Sequence, residues 1–372
     1  MVVEHTDRVA ELREFLAGGR QTSTFVRLDP SSYAAIFVGK PGGDPTVEDQ
    51  LQFHQAFPNY AAPTLFLDYD RLLPELTWER KQVETRADGT VVWEEVICIP
   101  SGERRRVIEH SPGTVPWLVE PAVKTSGDFD LIDFYADRVL ENVDSLVASA
   151  AKYPPMVRAA DMMPAVTLFN AFEVYWLVGY ADMPLFYMDW PERYLRSVQK
   201  VHAANLALLD GLSEVGFELF FSGSAGAELL SPRIFREAIV PCQREFNNRA
   251  RTLGRFSSYH ICGHSRQVIE DGIVDAIQPT IFETCSERPC GNNEDLRSAV
   301  FNVDQKIITK GNVPLELLLN GTPAHIEEAV ARVVSQTRGR RHIVGQADCS
   351  ILAGTPHENI RAFLNAAARQ PE

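Results

Sequence analysis

His260 and Cys262 stand two residues apart in Tyr259-His260-Ile261-Cys262-Gly263-His264, at the end of an apolar run. In an extended chain that spacing sends both side chains to one side. A third donor of suitable chemistry is Cys349, in Gln346-Ala347-Asp348-Cys349-Ser350. One imidazole and two thiolates suit Zn²⁺, and three protein ligands leave the fourth tetrahedral position for substrate, whereas a closed structural site takes four. The competing reading of a lone His-x-Cys step is a pair of satisfied core residues, since both types are often buried.

Other groups are candidates for work beside such a centre. Glu283 and Glu287, in Phe282-Glu283-Thr284-Cys285-Ser286-Glu287-Arg288-Pro289, follow an apolar run. They offer a proton donor, a hydrogen-bond acceptor for substrate, or a carboxylate that orients His260. The plainer alternative is a solvated loop in which Glu287 neighbours Arg288. Cys285 and Cys290 are five apart, a poor spacing for a zinc knuckle, and read as bystanders. Phe169, Phe172, Tyr175, Trp176, Tyr180, Phe186, Tyr187 and Trp190 crowd one stretch, where a flat aromatic substrate would find stacking partners. Packing of helix against sheet would use the same rings. Met162, Tyr175, Tyr187, Ser222 and Asn312 are the expected substrate contacts, with Met163 and Met183 as further apolar candidates.

These groups need a scaffold that gathers distant segments. Tyr33 to Val38 and Pro63 to Asp68 read as short apolar strands, as do Met156–Ala160, Phe217–Phe221, Phe256–His260, Val274–Gln278, Lys306–Thr309 and His342–Val344. Helical patterns stand between them. Val9, Leu12, Phe15 and Leu16 recur at helical spacing, Ala165 to Val178 reads as helical, and Pro191 to Leu212 reads as a long helix with proline in its first turn. Ser231-Pro232, Thr322-Pro323 and Thr355-Pro356 each look like an N-cap before a first-turn proline, the last completed as a capping box by Glu358. The Gly-Thr-Pro triplets at 321 and 354 are one βα unit apart. From 82 to 122 alternating segments flank hairpin-like turns at Ala87-Asp88-Gly89-Thr90 and Ser111-Pro112-Gly113-Thr114, a β-rich excursion. Eight strands alternating with helices, with no Gly-x-Gly-x-x-Gly turn, predict a (β/α)₈ TIM barrel spanning 1–372 as one domain, with N-terminal helical and β-hairpin additions. In that fold the reacting groups collect where strands end, which is where His260, Cys262, Cys349, Ser222, Glu283 and Asn312 fall.

The chain has 372 residues, 45% of them hydrophobic and 23% charged, with a net charge of −14. That balance argues for a soluble globular protein and against nucleic acid as a partner, because phosphate binding needs clustered cations. The run Arg104-Arg105-Arg106 is flanked by Glu103 and Glu109 and reads as a solvated face. There is no apolar run long enough to span a membrane and no secretory h-region at the N-terminus. The six scattered cysteines suit reduced thiols, so a cytoplasmic location is expected.

From Phe217 onward the chain resembles the uroporphyrinogen decarboxylase superfamily, in the branch of corrinoid-dependent methyltransferases. The matching segments are Leu230-Ser231-Pro232-Arg233-Ile234-Phe235-Arg236-Glu237, His260-Ile261-Cys262-Gly263, Lys310-Gly311-Asn312-Val313, Gly321-Thr322-Pro323 and Gly354-Thr355-Pro356-His357-Glu358-Asn359-Ile360-Arg361. A fainter match runs from Thr114 to Lys124, and together the segments cover over half the chain. The resemblance implies a (β/α)₈ barrel with a catalytic zinc on His260, Cys262 and Cys349. It also implies methyl transfer between a small molecule and the cobalt of a corrinoid, free or carried by a partner protein, since no Asp-x-His-x-x-Gly cobalamin motif is present. An aryl methyl ether is the expected small molecule, with a thiol or a reduced folate as the alternative acceptor. The decarboxylase's own Arg-Gln-Ala-Gly-Arg motif is missing here, where Gly18-Gly19-Arg20-Gln21 is nearest, and Cys349 replaces its histidine. Two rival readings follow: a metal-free decarboxylase of a poly-acidic substrate, and a non-catalytic binding barrel whose zinc is closed by His264 or Glu283.

Overall fold

Asp7 caps the first helix, its carboxylate accepting from Ala10 N–H, and Val9, Leu12, Phe15 and Leu16 form the buried face of Arg8–Leu16. That face has a specific partner. Leu12, Phe15 and Leu16 pack against Phe25, Ala165, Leu219, Ile281, Ile308 and Ile343, the residues that begin the barrel strands. The helix thus seals the N-terminal end of a barrel, each large apolar side chain worth about 1.5–3 kcal/mol of burial. Arg13 strengthens the closure from the rim through Glu218, which Arg158 also contacts.

The computed structural model describes residues 7–19, 25–30, 32–40, 45–67, 77–111, 116–168, 170–347 and 350–369, without the side chains at 32, 77, 78 and 175. Twelve strands are present. Eight form one parallel sheet: β1 Phe25–Val26, β2 Thr64–Phe66, β7 Ala165–Thr167, β8 Leu219–Ala225, β9 Phe256–Cys262, β10 Ile281–Glu283, β11 Ile308–Val313 and β12 His342–Gln346. Each pairs with the next in chain order from β2 through β12, and β12 pairs back onto β1. At the remaining seam Tyr60 N–H donates to Val26 C=O. Helices separate the strands throughout, so the order is that of a (β/α)₈ barrel, as expected.

The β-rich excursion is a four-stranded antiparallel meander: β3 Thr77–Thr85, β4 Val91–Ile99, β5 Gly102–His110 and β6 Trp117–Glu120. The expected turn at 87–90 closes the first hairpin, with Gly89 N–H on Arg86 C=O and Thr90 N–H on the Asp88 carboxylate. The basic run 104–106 is not a plain solvated face. Arg106 is buried with Glu95 and donates to Trp176 C=O, Arg104 pairs with Asp128 and Asp130, and only Arg105 pairs with Glu94 at the surface.

Three strand expectations are corrected. Tyr33–Val38 lies in the helix Ser32–Phe37, Met156–Ala160 in the helix Tyr153–Ala159, and Val274–Gln278 in the helical turn Ile273–Ile277. The strands near them are β1, β7 and β10, each only two or three residues long, too short to show a period of two. The run Ala165–Val178, expected helical, begins as β7 and is helical only over Tyr175–Val178. Thr322 caps its helix as expected, but Thr355 donates to Leu352 C=O, and Pro356 precedes the last helix, His357–Ala368.

Candidate functional site

The C-terminal end of β9 presents the His-x-Cys pair. Tyr259 and Ile261 are buried toward the helices, while His260 is half-buried and Cys262 exposed, as alternation along a strand requires. His260 Nε2 and Cys262 Sγ lie 3.1 Å apart. Gly223 of β8 is register partner to His260, and a Cβ built there would fall 2.8 Å from the His260 carbonyl oxygen, so β8 approaches the site as closely as a glycine permits. Beyond the strands, Ala227 N–H donates to His264 C=O and His264 N–H to the Glu228 carboxylate, tying the loop after β8 to the loop after β9.

Below this pair the barrel interior is charged. Arg27 follows β1, its guanidinium 4.4 Å over the Phe221 ring of β8 and 2.9 Å from Asp29. Lys310 of β11, fully buried, pairs with Asp29 at 2.5 Å and with Glu283 of β10. Ser258 Oγ donates to the other Glu283 oxygen at 2.9 Å. Burial by itself would raise both carboxyls. The Lys310 ammonium, with Arg27, outweighs it and holds Glu283 and Asp29 below the ordinary carboxylate range, while the two carboxylates keep Lys310 above its own. Two cations and two anions thus form a neutral, fully engaged layer beneath His260.

Glu173 is different. It follows β7 in a turn where Glu173 N–H donates to Asn170 C=O and Phe172 N–H to Asn170 Oδ1. Its carboxyl is buried and accepts from Ala225 N–H, the residue in register with Cys262. Burial pushes its pKa up to about 8, opposed by the Ala225 hydrogen bond and by the nearby His260 imidazole. Sequence reasoning passed over it. The available signal was an acid alone in an otherwise apolar and aromatic stretch.

Placement of the expected residues divides them. Glu283 lies in register with His260, but as a carboxylate committed to Lys310 and Ser258 it is not a proton donor. Glu287 faces Arg332 at 2.9 Å in a cleft beyond β10 rather than His260. Ser222 points away from the barrel axis, accepting from Gln243 Nε2 behind the sheet. Met162 precedes β7, at the sealed end of the barrel opposite His260. Tyr187 is buried and donates to Glu237. The rings around it pack on one another and on helices: Phe172 on Tyr187 and Tyr194, Phe186 and Trp190 on Phe129, Trp176 on Tyr135. They are helix packing, not a substrate platform. Asn312 is at the mouth as expected, with its amide oriented so that Oδ1 accepts from Ser286 N–H and Cys285 N–H. Cys349, Asp348, Phe169 and the Tyr175 side chain lie outside the described residues. Among the described residues no three His, Cys, Asp or Glu side chains come together as a metal site.

The two described donors nevertheless fit a metal. With Zn–N near 2.0 Å and Zn–S near 2.3 Å, tetrahedral donors sit roughly 3.5 Å apart, close to the separation of Nε2 and Sγ. β12 ends at Gln346, next to β11 and β1, so the segment carrying Cys349 leaves the same end of the barrel as His260.

Known proteins agree with this frame. The chain is 29% identical over 148 residues to a methylated-thiol–coenzyme M methyltransferase of Methanosarcina mazei, covering 40% of this chain and 36% of that protein. It is 23% identical over 165 residues to a methylcobamide:CoM methyltransferase of the same organism, covering 44% and 45%. A shorter stretch of 72 residues is 40% identical to a uroporphyrinogen decarboxylase of Synechococcus sp., covering 19% of this chain and 20% of that protein. The matches thus span less than half the length of these relatives. A solved structure of a methyltransferase from Methanosarcina mazei superposes with a TM-score of 0.61 at 13% identity, covering 97% of this chain and 98% of that one, which supports the shared fold. No helix among the described residues is long and apolar enough to cross a membrane. The uroporphyrinogen decarboxylase (URO-D) family model matches residues 175–370, more than half of the sequence and the part that builds strands β8 to β12, and the chain belongs to that family.

Proposed function

We propose that this protein is a methyltransferase that moves a methyl group between a small molecule and the cobalt of a corrinoid, with zinc held by His260, Cys262 and Cys349. The observation that carries the reading is the convergence of His260 Nε2 and Cys262 Sγ at the open end of a URO-D family barrel. The names of the methyltransferase relatives support the reaction class and favour a thiol as the small molecule. The expectation of an aryl methyl ether loses its basis, because the rings that suggested it pack between helices. The corrinoid arrives free or on a separate protein.

Zinc bound there would supply Lewis acidity, lowering the pKa of a thiol that shares the site. The protein's own residues do the rest. Gly223 lets β8 lie against His260, and the Arg27–Asp29–Lys310–Glu283 layer gives the site a rigid, charge-balanced floor. Glu173, which holds its proton through neutral pH, is the group beside His260 able to exchange one with a bound substrate.

The test is zinc content by elemental analysis of protein purified without added metal, for the wild type, His260→Ala and Cys349→Ser, with methyl transfer from methylcobalamin to 2-mercaptoethanol followed in parallel. About one zinc per chain is expected in the wild type. It should be lost or weakened in both variants, with transfer falling in step and circular dichroism unchanged. A wild type without zinc, or variants that retain it fully, would return the metal-free decarboxylase reading to the front.

A further inference from the structure

Beside the barrel mouth lies a cleft of about 520 Å³, between the loop after β10 and the elements that follow β9 and β11. Its size falls in the range of small-molecule sites. Asn312 and Ala347, at the ends of β11 and β12, form one wall, and Arg266, Arg288 and Arg332 contribute three guanidiniums. Two of these are neutralised: Arg332 by Glu287, and Arg266 by Glu270 and Glu294. Arg288 has no acidic partner among the described residues. In a chain of net charge −14, three arginines against two lining glutamates make this cleft locally positive.

The loop that carries Arg288 is built rather than loose. Asn293 is buried and donates to both Ser265 Oγ and Ser286 C=O, Gly291 N–H donates to Glu287 C=O, and Arg266 N–H donates to Asn292 Oδ1. A Cβ on Gly291 would meet the Ser286 carbonyl oxygen at 2.2 Å, so the loop closes only with glycine there. Ser286 Oγ in turn donates to Ala347 C=O, fixing the loop to the end of β12. A guanidinium held over a polar cleft by a prearranged loop offers an anion two parallel hydrogen bonds at little ordering cost.

We infer that this cleft binds a small organic anion, a carboxylate, sulfonate or phosphate, with Arg288 as its charge anchor. The site is distinct from the His260–Cys262 pair, which does not line it, and its occupancy does not depend on the reaction proposed above.

Isothermal titration calorimetry with benzoate, benzenesulfonate and phenyl phosphate tests this, with neutral benzyl alcohol as the control. At least one anion should bind saturably and more weakly as salt rises, and the alcohol should not bind. Which anion binds most tightly identifies the acid group. Arg288→Met should weaken binding about tenfold or more, and Arg288→Lys, which keeps the charge but loses the planar fork, should fall between. Arg233→Met, on an exposed helix elsewhere, should change nothing. Arg288 is exposed, so these variants should fold, which circular dichroism checks. No saturable anion binding, equal binding of benzyl alcohol, or undiminished binding in Arg288→Met would overturn the inference and leave the zinc test untouched.

Discussion

Lys310 and Asp29 meet inside the barrel with Nζ 2.5 Å from Oδ2, across 281 residues of sequence, and the same ammonium also pairs with Glu283. Lys310 has no exposed surface, so its removal strands charge that solvent cannot reach. Lys310→Met should cost about 3–5 kcal/mol of stability, the usual penalty for breaking a buried pair from one side. Adding Glu283→Gln should recover part of that loss. Urea denaturation of the single and double variants measures both, and strict additivity would show that the two groups do not interact.

Stability should fall on both sides of neutral pH, for opposite reasons. His54 is buried and neutral, accepting from Asn59 Nδ2, and burial pushes its pKa down to about 3. The unfolded chain, with histidine near 6.5, binds more protons between those values, so stability is lost as pH falls from about 6.5 toward 3. Glu173 acts the other way. Burial raises its pKa to about 8, the native state binds more protons than the unfolded one, and stability is lost as pH rises from about 4.5 through 8. Each slope is at most about 1.4 kcal/mol per pH unit. In chelator-treated protein, Glu173→Gln should flatten the alkaline arm alone and His54→Gln the acid arm alone, read from denaturation midpoints across pH. An unaltered alkaline arm in Glu173→Gln would mean that Glu173 ionises normally.

Gly223→Ala should disturb the site without touching a candidate ligand. The new Cβ would fall 2.8 Å from the His260 carbonyl oxygen and 3.1 Å from its Cβ, so β8 and β9 must part. The expected cost is about 1–3 kcal/mol of overpacking, accompanied by weaker zinc retention as His260 shifts from Cys262. Denaturation and zinc analysis on the same preparation check it. Wild-type values in both would show that the two strands do not approach as closely as described.

Much of this protein was legible in one dimension because the relevant signals are local. The spacing of His260 and Cys262 set them on one side of a strand, proline after Ser231 and Thr322 marked helix starts, and alternation across 82–110 marked the antiparallel meander. The (β/α)₈ class followed from the number and order of elements, even where Tyr33–Val38, Met156–Ala160 and Val274–Gln278 turned out to be helical. Tertiary structure decided what local signals cannot carry. Strands of two or three residues, such as β1, β7 and β10, take their conformation from parallel neighbours rather than from their own periodicity. The roles of Arg27, Asp29, Lys310 and Glu173 depend on partners in other strands and loops, since a buried charge reveals its state only through what lies opposite it. For the same reason Ser222, Met162 and Tyr187 read as substrate contacts until the barrel fixed which face, and which end, each one occupies.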